Sequence, residues 1–314
     1  MRTKSRPLLR QQEVRRGRKE ILPILTSVQI KRQDAFKFLA ELKPGAVDLI
    51  VSSPPYCMGK EYEASVDLAD FVEMHERLIP LLVKALKEGG SLCWQVGHHV
   101  HKGRVTPLDA LVYTIFSKQP ELHLRNRIIW TFAHGAHASR RFSGRHETVL
   151  WFTKGEEYFF DIDAVRVPQK YPGKRHYKGP KKGKFSGHPL GKNPSDVWEI
   201  PNVKENHIEK TNHPCQFPVA LVQRFIQALV PSQGTVVDPF VGSGTSAVAA
   251  VVERRNFIGC DIKAKYCKIA EGRIRNASRG KKSYRPLDQP IHVPSPTDAV
   301  AILPAQFRRK REKL

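Results

Sequence analysis

The chain has 314 residues, a hydrophobic content of 40% and a formal net charge of +23 at pH 7. Such a chain can bury one substantial α/β core with an appended lobe, so a single catalytic domain with insertions accounts for its length. The clustered positive charge favours a polyanionic partner, most simply a nucleic acid, over a small metabolite. Long apolar runs and the apolar core of a signal peptide are absent, so we expect a cytoplasmic protein.

Residues 1–20 form a basic arm, which we predict to be a mobile tail that seeks phosphates. Residues 21–160 are predicted to form the first half of the main domain. Its first clear strand is the apolar run 47–51, which ends at Ser53-Pro54-Pro55-Tyr56. Such a pattern is typical of a buried parallel strand whose carboxyl end opens at a site.

The Ser53 to Tyr56 turn offers hydrogen-bond acceptors beside an aromatic plane. Pro54 and Pro55 have no N–H and a fixed φ, so the turn presents carbonyl oxygens, while Ser53 adds a hydroxyl and Tyr56 a stacking face. These groups suit a nucleobase that carries an exocyclic amino group. The alternative is a plain proline turn that ends a strand.

The next segments predict the rest of a sheet. Apolar residues at helical spacing over 68–86, Gly89-Gly90 and an apolar run at 91–96 predict a helix, a stop and a strand. A helix is predicted from Thr106-Pro107 to Phe116, and strands at 122–130 and 147–153. The stretch 134–146 between these strands carries Arg140, Arg141 and Arg145, and it predicts a mobile loop near the site.

Residues 161–212 lose hydrophobic periodicity and are rich in proline, glycine and basic residues set among aromatics. This composition suits contacts with phosphates and bases, and a solvated loop that becomes ordered on binding is compatible with it. The candidate nucleic-acid contacts are Arg140, Arg141 and Arg145 of the preceding loop and, in this stretch, Lys174, Arg175, Lys178, Lys181 and Lys182.

A second motif lies at 234–247, where a strand leads into Asp238, a loop with Gly242 and Gly244, and a helix that begins near Thr245. The glycines allow a tight approach to a ligand, and the first N–H groups of the helix face it. Asp261 ends the following strand, where a carboxylate can bind the hydroxyls of a ribose. The spacing also fits a dinucleotide site, so a nicotinamide-dependent dehydrogenase is a competing interpretation.

Asp238 distinguishes the two interpretations. A carboxylate at this strand tip would repel a pyrophosphate, but it would attract the sulfonium and ammonium of S-adenosylmethionine. A helix N-cap or a loop acid is the alternative role for this residue.

Together, Ser53-Pro54-Pro55-Tyr56 and the segment from Asp238 to Thr245 resemble the DNA amino-methyltransferases, which methylate N4 of cytosine or N6 of adenine. The stretch 212–218, which includes His213, Pro214 and Gln216, is similar to the family's segment upstream of the glycine loop. Phe217 departs from the lysine that is more usual there. The resemblance covers residues 25–277, and its motif order is that of the β group.

This resemblance implies a doubly wound, mostly parallel α/β sheet of the S-adenosylmethionine-dependent methyltransferase type, with permuted motif order. It implies a catalytic half at 21–160, target recognition within 161–212, a cofactor-binding half at 213–277 and a basic tail at 278–314. The catalytic residues that it implies are Ser53, Pro54, Pro55 and Tyr56. The cofactor contacts are Asp238, Pro239, Phe240, Gly242, Ser243, Gly244, Thr245, Asp261, His213, Pro214 and Gln216.

Two cysteine and histidine patterns carry less weight. Pro214-Cys215-Gln216 is similar to the nucleophile tripeptide of carbon-5 cytosine methyltransferases, but there the glycine loop comes first, so we expect Cys215 to be a small apolar residue that opens a helix. The five cysteines lack C-x-x-C spacing, which indicates reduced thiols. The histidines have no thiols or carboxylates at ligand spacing, so no metal is expected.

Serine at the first position of the tetrapeptide is associated in this family with N4-cytosine, so we expect a DNA cytosine-N4 methyltransferase that extrudes its target base. An N6-adenine enzyme is the alternative, and an RNA-directed or non-catalytic nucleic-acid-binding protein is a further one. The resemblance also implies duplex DNA as the partner, a restriction-modification setting with a cognate endonuclease, and a homodimer.

Overall fold

The structure is a computed structural model that describes residues 27–56, 67–135 and 137–304. Its strands are β1 Val28–Arg32, β2 Val47–Ser52, β3 Leu86–Val96, β4 His98–His101, β5 Arg104–Pro107, β6 Leu122–Thr131, β7 His146–Lys154, β8 Val197–Glu199, β9 Thr235–Asp238 and β10 Asn256–Asp261. Its helices are α1 Ala35–Glu41, α2 Leu68–Ala85, α3 Leu108–Phe116, α4 Val219–Leu229, α5 Thr245–Val252 and α6 Ala264–Ser278. The basic arm 1–20 lies outside the described residues.

Within these residues, eight strands form one sheet in the order β1-β10-β9-β2-β3-β7-β6-β8. Strands β1, β10, β9, β2 and β3 run parallel, and β7 is antiparallel to both β3 and β6. The expected mostly parallel α/β sheet is therefore confirmed. Strands β2 and β9 are direct neighbours, with Leu49 opposite Val236 and Ile50 opposite Val237, so their carboxyl ends meet at one edge of the sheet.

Helices cover both faces of the sheet, and β2 is therefore buried along its whole length. Leu49 and Val51 pack into a core that includes α4 and α5, whereas Ile50, between them, packs into a second core with α2 and α3. Alternate side chains of a strand point to opposite faces, so a strand with two covered faces is apolar throughout. This explains why the run 47–51 shows no polar alternation in its last three positions.

The structure confirms the helices predicted at 68–86, within 106–116 and from Thr245, together with the strand pair β6–β7, and it corrects one boundary. Gly89 and Gly90 do not separate a helix from a strand, because α2 ends at Ala85 and β3 already begins at Leu86. At Gly90 an added Cβ would lie 2.9 Å from the Lys87 carbonyl oxygen and 3.1 Å from that of Val47. Gly90 therefore allows the close approach of β2 and β3, where the pairing register shifts between Val47 and Leu49.

The stretch 161–212 contains mostly irregular backbone, as expected, but it also contributes a strand that the sequence pattern did not predict. Strand β8 pairs parallel to β6 at the edge of the main sheet, and the Trp198 side chain is buried against Phe225. The Val167 and Lys192 backbones exchange two hydrogen bonds of 2.9 Å and close the neck of an exposed lobe. Of the helices in the described parts of the chain, none has the length and apolar character needed to cross a bilayer.

Candidate active site

The two sequence motifs meet at one cavity of about 440 Å³ at the carboxyl edge of β2 and β9. The Ser53 to Tyr56 turn forms part of its wall, and the glycine loop forms another part. Further segments contribute, among them the start of α1, the residues just before α4 and the loop that follows β10. The predicted site residues that lie on the wall are Ser53, Pro54, Pro55, Tyr56, His213, Gln216, Pro239, Phe240, Gly242, Ser243, Thr245 and Asp261.

The turn after β2, which we call the acceptor corner (residues 53–56), is held by side-chain hydrogen bonds. The Tyr56 hydroxyl donates to the Gln95 backbone oxygen at 3.1 Å, and it lies 2.9 Å from Ser53 Oγ. Since the Tyr56 proton is directed to Gln95, the consistent assignment is that the Ser53 hydroxyl donates to Tyr56. The lone pairs of Ser53 Oγ can then accept hydrogen bonds from a ligand in the cavity.

The turn after β9, which we call the glycine corner (residues 239–244), has the opposite character. Gly242 and Gly244 have φ values of 51° and 81°, a region that side-chain-bearing residues rarely adopt. An added Cβ on Gly242 would lie 2.9 Å from His213 Nε2, and one on Gly244 would lie 2.7 Å from the Ala270 Cα of α6. Glycine is therefore required at both positions, by conformation and by close approach.

Asp261 lies at the tip of β10 on the cavity wall. Its carboxylate accepts hydrogen bonds from the Gly242 N–H at 3.0 Å and from the Lys263 N–H at 2.8 Å. Burial raises the pKa of this carboxyl, and the two backbone hydrogen bonds oppose the rise. A carboxylate fixed in this way beside a glycine loop fits the ribose of an adenosine cofactor.

Asp238 differs from the expectation that it faces a bound cation. Its carboxyl is fully buried and is not on the cavity wall. It accepts hydrogen bonds of 2.5 Å from the Ser52 and Ser246 hydroxyls and one of 2.9 Å from the Phe240 N–H. Burial raises its pKa to about 6. The observed contacts make Asp238 a clamp that joins the end of β2 to the start of α5.

The segment before α4 contributes His213, Cys215, Gln216 and Phe217 to the cavity wall, whereas Pro214 and Gly244 are not on it. Cys215 is exposed, and α4 begins only at Val219, so the prediction that Cys215 opens a helix is wrong. The sequence Gln216-Phe217-Pro218 explains this: proline restricts the residue before it, and the helix starts directly after Pro218.

A buried ion pair stabilises both the segment before α4 and the glycine corner through hydrogen bonds. Glu209 and Arg273 lie 3.4 Å apart, with side chains that are 0% and 9% exposed. Glu209 also accepts from the Val219 N–H at 2.9 Å and from the Arg285 N–H at 3.1 Å. Arg273 donates to the Ser243 carbonyl and to Thr245 Oγ1, each at 2.9 Å. Sequence periodicity did not indicate this pair, because its partners lie 64 positions apart.

Two further polar residues of the wall, Gln95 and Glu147, were missed by the sequence reasoning. Gln95 is near the end of β3, and its side-chain amide donates a short hydrogen bond to Glu147 Oε2 at the start of β7. Burial raises the pKa of the Glu147 carboxyl to about 7, and the Gln95 hydrogen bond opposes the rise. The available signal was the position of both residues at the same edge of the sheet as Ser53.

The basic residues expected to contact DNA lie outside the cavity. Arg140, Arg141 and Arg145 belong to the loop between β6 and β7, in which the Phe142 side chain is 99% exposed. Because β6 ends and β7 begins at the carboxyl edge of β3, this loop stands at the cavity edge of the sheet. The predicted contacts in the lobe are all exposed, namely Lys174, Arg175, Lys178, Lys181 and Lys182. Phe142 was not singled out from the sequence.

Comparison with known proteins assigns the chain to a family. Residues 47–272 match the family model of N6- and N4-directed methyltransferases, described as DNA methylase. The chain belongs to this family of DNA methyltransferases. It is 43% identical to the type II methyltransferase M.BglII of Bacillus subtilis over 77% of this chain and 67% of that protein. It is 29% identical to the DNA adenine methyltransferase YhdJ of Escherichia coli K12, over 78% of this chain and 82% of that protein.

Solved structures show the same fold. PvuII DNA methyltransferase, described as cytosine-N4-specific, matches with a TM-score of 0.64 and 20% identity over 85% of this chain and 97% of that one. A DNA modification methylase of Thermus thermophilus, solved complexed with S-adenosyl-L-methionine, matches with a TM-score of 0.58 and 24% identity over 82% of this chain and 96% of that one. The family uses S-adenosylmethionine as its methyl donor.

The cavity of this chain fits that cofactor. Asp261 offers an anchored carboxylate for ribose hydroxyls, and the glycine corner leaves a cradle that any Cβ would fill. Phe240, Phe217 and Tyr266 add apolar and aromatic surface to the wall. When bound, S-adenosylmethionine would supply an electrophilic methyl group beside the acceptor corner. In the described residues no cluster of three metal-ligating side chains occurs.

Proposed function

We propose that this chain transfers a methyl group from S-adenosylmethionine to N4 of a cytosine in duplex DNA. The observation that carries the proposal is the single cavity shared by the acceptor corner and the glycine corner. An amino group bound at the first would face a methyl donor bound at the second. Holding two reactants in line supplies much of the rate of such a transfer.

The acceptor corner gives the chain its role toward the amino group. Ser53 Oγ and the Pro54 carbonyl oxygen accept hydrogen bonds from the two N–H groups of the amino group. These hydrogen bonds draw the nitrogen lone pair away from conjugation with the ring. Tyr56 stacks on the base. Since a stacked base cannot reach this cavity, the target base is extruded from the duplex at a cost of a few kcal/mol.

Cytosine is proposed over adenine because Ser53 occupies the first position of the tetrapeptide, and the match to a cytosine-N4-specific enzyme supports this choice. N6-adenine is the second candidate, favoured by the similarity to a DNA adenine methyltransferase. Mass spectrometry of nucleosides from duplex DNA treated with protein and cofactor decides between them. We expect N4-methylcytosine. A product of N6-methyladenine alone would overturn the base assignment, and methyl incorporation into RNA alone would overturn the DNA assignment.

The basic lobe and the loop between β6 and β7 are proposed to grip the duplex. Arg175 stacks on Phe185 with its guanidinium carbon 4.0 Å from the ring centroid, and the fully exposed Phe142 lies among three arginines. Basic side chains neutralise phosphates, and exposed aromatics can stack on unpaired bases.

The salt dependence of DNA binding tests this grip. For the double variant Lys181→Ala/Lys182→Ala, the slope of log K against log salt should become shallower by about 2, because each phosphate contact contributes about 1. The matched control is Lys43→Ala/Lys118→Ala. Both lysines are exposed and precede β2 and β6, at the edge of the sheet opposite the cavity. Equal slopes for the two double variants would remove the lobe from the interface.

We also propose that the chain acts in a restriction-modification system with a cognate endonuclease, which the type II names of its relatives support, and that it forms a cytoplasmic homodimer, which the family resemblance supports. Sequencing of modified bases in genomic DNA from cells that express the chain gives the target site and the modified base together. Size-exclusion chromatography with light scattering measures the oligomeric state.

A further inference from the structure

Glu147 stands on the cavity wall beside the acceptor corner. If Gly97 carried a Cβ, that atom would lie 3.4 Å from Glu147 Oε1 and 3.4 Å from Tyr56 Cε2. Glu147 Oε1 and the edge of the Tyr56 ring, on which the target base is proposed to stack, therefore both approach the same point next to Gly97. Oε2 is occupied by the Gln95 amide, whereas Oε1 has no hydrogen-bond partner among the described residues.

The same residues link Glu147 to Ser53. Gln95 donates to Glu147 through its side chain and accepts from the Tyr56 hydroxyl through its backbone oxygen. Tyr56 in turn contacts Ser53 Oγ at 2.9 Å. The orientation of the Glu147 carboxylate is thus fixed by the same network that orients the acceptor corner.

The surroundings of Glu147 leave its charge unneutralised. In the described parts of the chain no lysine or arginine forms an ion pair with it, and the elements packed on it present Gln95 from β3, Trp130 from β6 and Tyr56 from the corner. The adjacent His146 contacts His98, with ring centroids 5.0 Å apart. The remaining charged groups of the wall, Asp34, His213, Asp261 and Lys263, come from the other elements of the cavity.

Amino methylation needs a proton acceptor. The amino nitrogen carries two protons before transfer, and one must leave once the nitrogen has bonded to the methyl carbon. A serine hydroxyl and a proline carbonyl are hydrogen-bond acceptors but too weakly basic to keep that proton. We propose that Glu147 is the catalytic residue that receives it through Oε1, an inference that rests on the proposed function.

The step balances with the groups present. The nitrogen lone pair forms the bond to the methyl carbon while the carbon–sulfur bond breaks, and its electron pair remains on sulfur. One N–H proton then leaves its hydrogen bond to Ser53 Oγ and passes to Glu147 Oε1, the nitrogen keeps the electron pair of that N–H bond, and Glu147 becomes a neutral acid. The acid returns its proton to water before the next turnover. A carboxyl whose pKa is about 7 can perform both transfers near neutral pH.

The test measures the rate of single-turnover methylation of duplex DNA by Glu147→Gln and by the wild type, from about pH 5.5 to about pH 8.5. General base catalysis contributes about 100- to 10,000-fold, so we expect the transfer rate at pH 8 to fall by at least about 100-fold. The wild-type rate should rise with pH through an ionisation near neutrality, and this rise should be absent in Glu147→Gln. Glu147→Asp should recover part of the rate and the pH dependence.

Two controls separate chemistry from structure. Glu157→Gln changes an exposed glutamate beyond the other end of β7 and should behave as wild type. Cofactor affinity, measured by calorimetry, should be unchanged in Glu147→Gln, as should extrusion of the target base, monitored by a fluorescent base analogue. A Glu147→Gln rate within about threefold of wild type, with the same pH profile, would overturn the inference alone. If the wild type itself transfers no methyl group to DNA, the proposed function fails instead.

Discussion

The acceptor corner and the glycine corner follow neighbouring parallel strands, yet they offer a ligand opposite groups. After β2, two prolines remove N–H donors and leave oxygens on the wall, whereas after β9 the glycines leave open space beside the Asp261 carboxylate, which the Gly242 N–H holds on the wall. We propose that one corner accepts hydrogen bonds from an amino group and that the other holds the cofactor. The shared sheet edge brings the two corners into one site. The prolines of one corner and the glycines of the other determine which ligand groups each can bind.

Breaking the clamp between the corners should have the largest effect. Asp238→Ala leaves the Ser52 and Ser246 hydroxyls and the Phe240 N–H without their buried acceptor, so we expect a loss of about 3 kcal/mol or more in the free energy of unfolding. Both cofactor affinity and methyl transfer should fall. Chemical denaturation and calorimetry measure these quantities. The isosteric Asp238→Asn should fall between the two proteins, and a fully stable Asp238→Ala would show that the clamp is dispensable.

Breaking the acceptor corner alone should separate the two functions. Ser53→Ala/Pro54→Ala removes the hydroxyl acceptor and the rigid turn, so we expect the transfer rate to fall by about 100- to 1000-fold, while the Kd for cofactor stays within about threefold. Rapid-quench assays and calorimetry give the two values. The control is Ser295→Ala/Pro296→Ala, the same dipeptide in the exposed carboxyl-terminal segment. A variant that retained full transfer would contradict the role given to this corner.

Breaking the glycine corner should produce the reverse pattern. Gly242→Ala places a methyl group 2.9 Å from His213 Nε2 at a φ of 51°, so we expect about 10- to 100-fold weaker cofactor binding, which corresponds to about 1–3 kcal/mol. Affinity for DNA without cofactor should not change. Gly280→Ala has a comparable φ of 72° but open space around its Cβ, so it controls for backbone strain alone. Equal effects of the two variants would exclude the close approach as the cause.

The smallest expected effect is a change in the pH dependence of the free energy of unfolding when Glu147, beside the acceptor corner, is replaced. Folding raises the pKa of Glu147 from 4.5 to about 7, so this carboxyl favours the folded state fully below pH 4.5, and that contribution is lost as pH rises through 7. Glu147→Gln lacks this loss and should be more stable than wild type by about 1–2 kcal/mol at pH 8, allowing for solvent in the cavity.

The advantage of Glu147→Gln should disappear near pH 4.5, the ordinary pKa of the carboxyl. Thermal unfolding across this range measures it. A wild type that is the more stable protein at pH 8 would show that Glu147 is stabilised as a carboxylate. The combination of higher stability with slower transfer would identify Glu147 as a site where function is retained at a cost in stability.

Local signals sufficed for much of this molecule. The apolar run before Ser53, the glycines at 242 and 244 and the start of a helix at Thr245 are short-range patterns, and the structure places both corners on one cavity. What the sequence could not supply depends on contacts between distant positions. Asp238 looked like a ligand for a cation because its charge was visible and its hydrogen bonds to Ser52 and Ser246 were not.

The same reason explains Glu147 and Glu209. Both are ordinary glutamates in the sequence, and their roles follow from burial and from partners 52 and 64 positions away. Strand β8 was missed because only Trp198 among its three residues is buried, which is too short a pattern to stand out in a stretch without periodicity.

The closed neck at Val167 and Lys192 has a practical consequence for engineering. Residues between these two positions form a lobe whose ends meet, whereas β8, only a few residues further on, is a strand of the main sheet. A chimaera that exchanges the lobe at its neck leaves the catalytic scaffold uncut, while one that exchanges the whole of 161–212 removes an edge strand. Grafts that test the proposed role of the lobe in target recognition should therefore be joined at the neck.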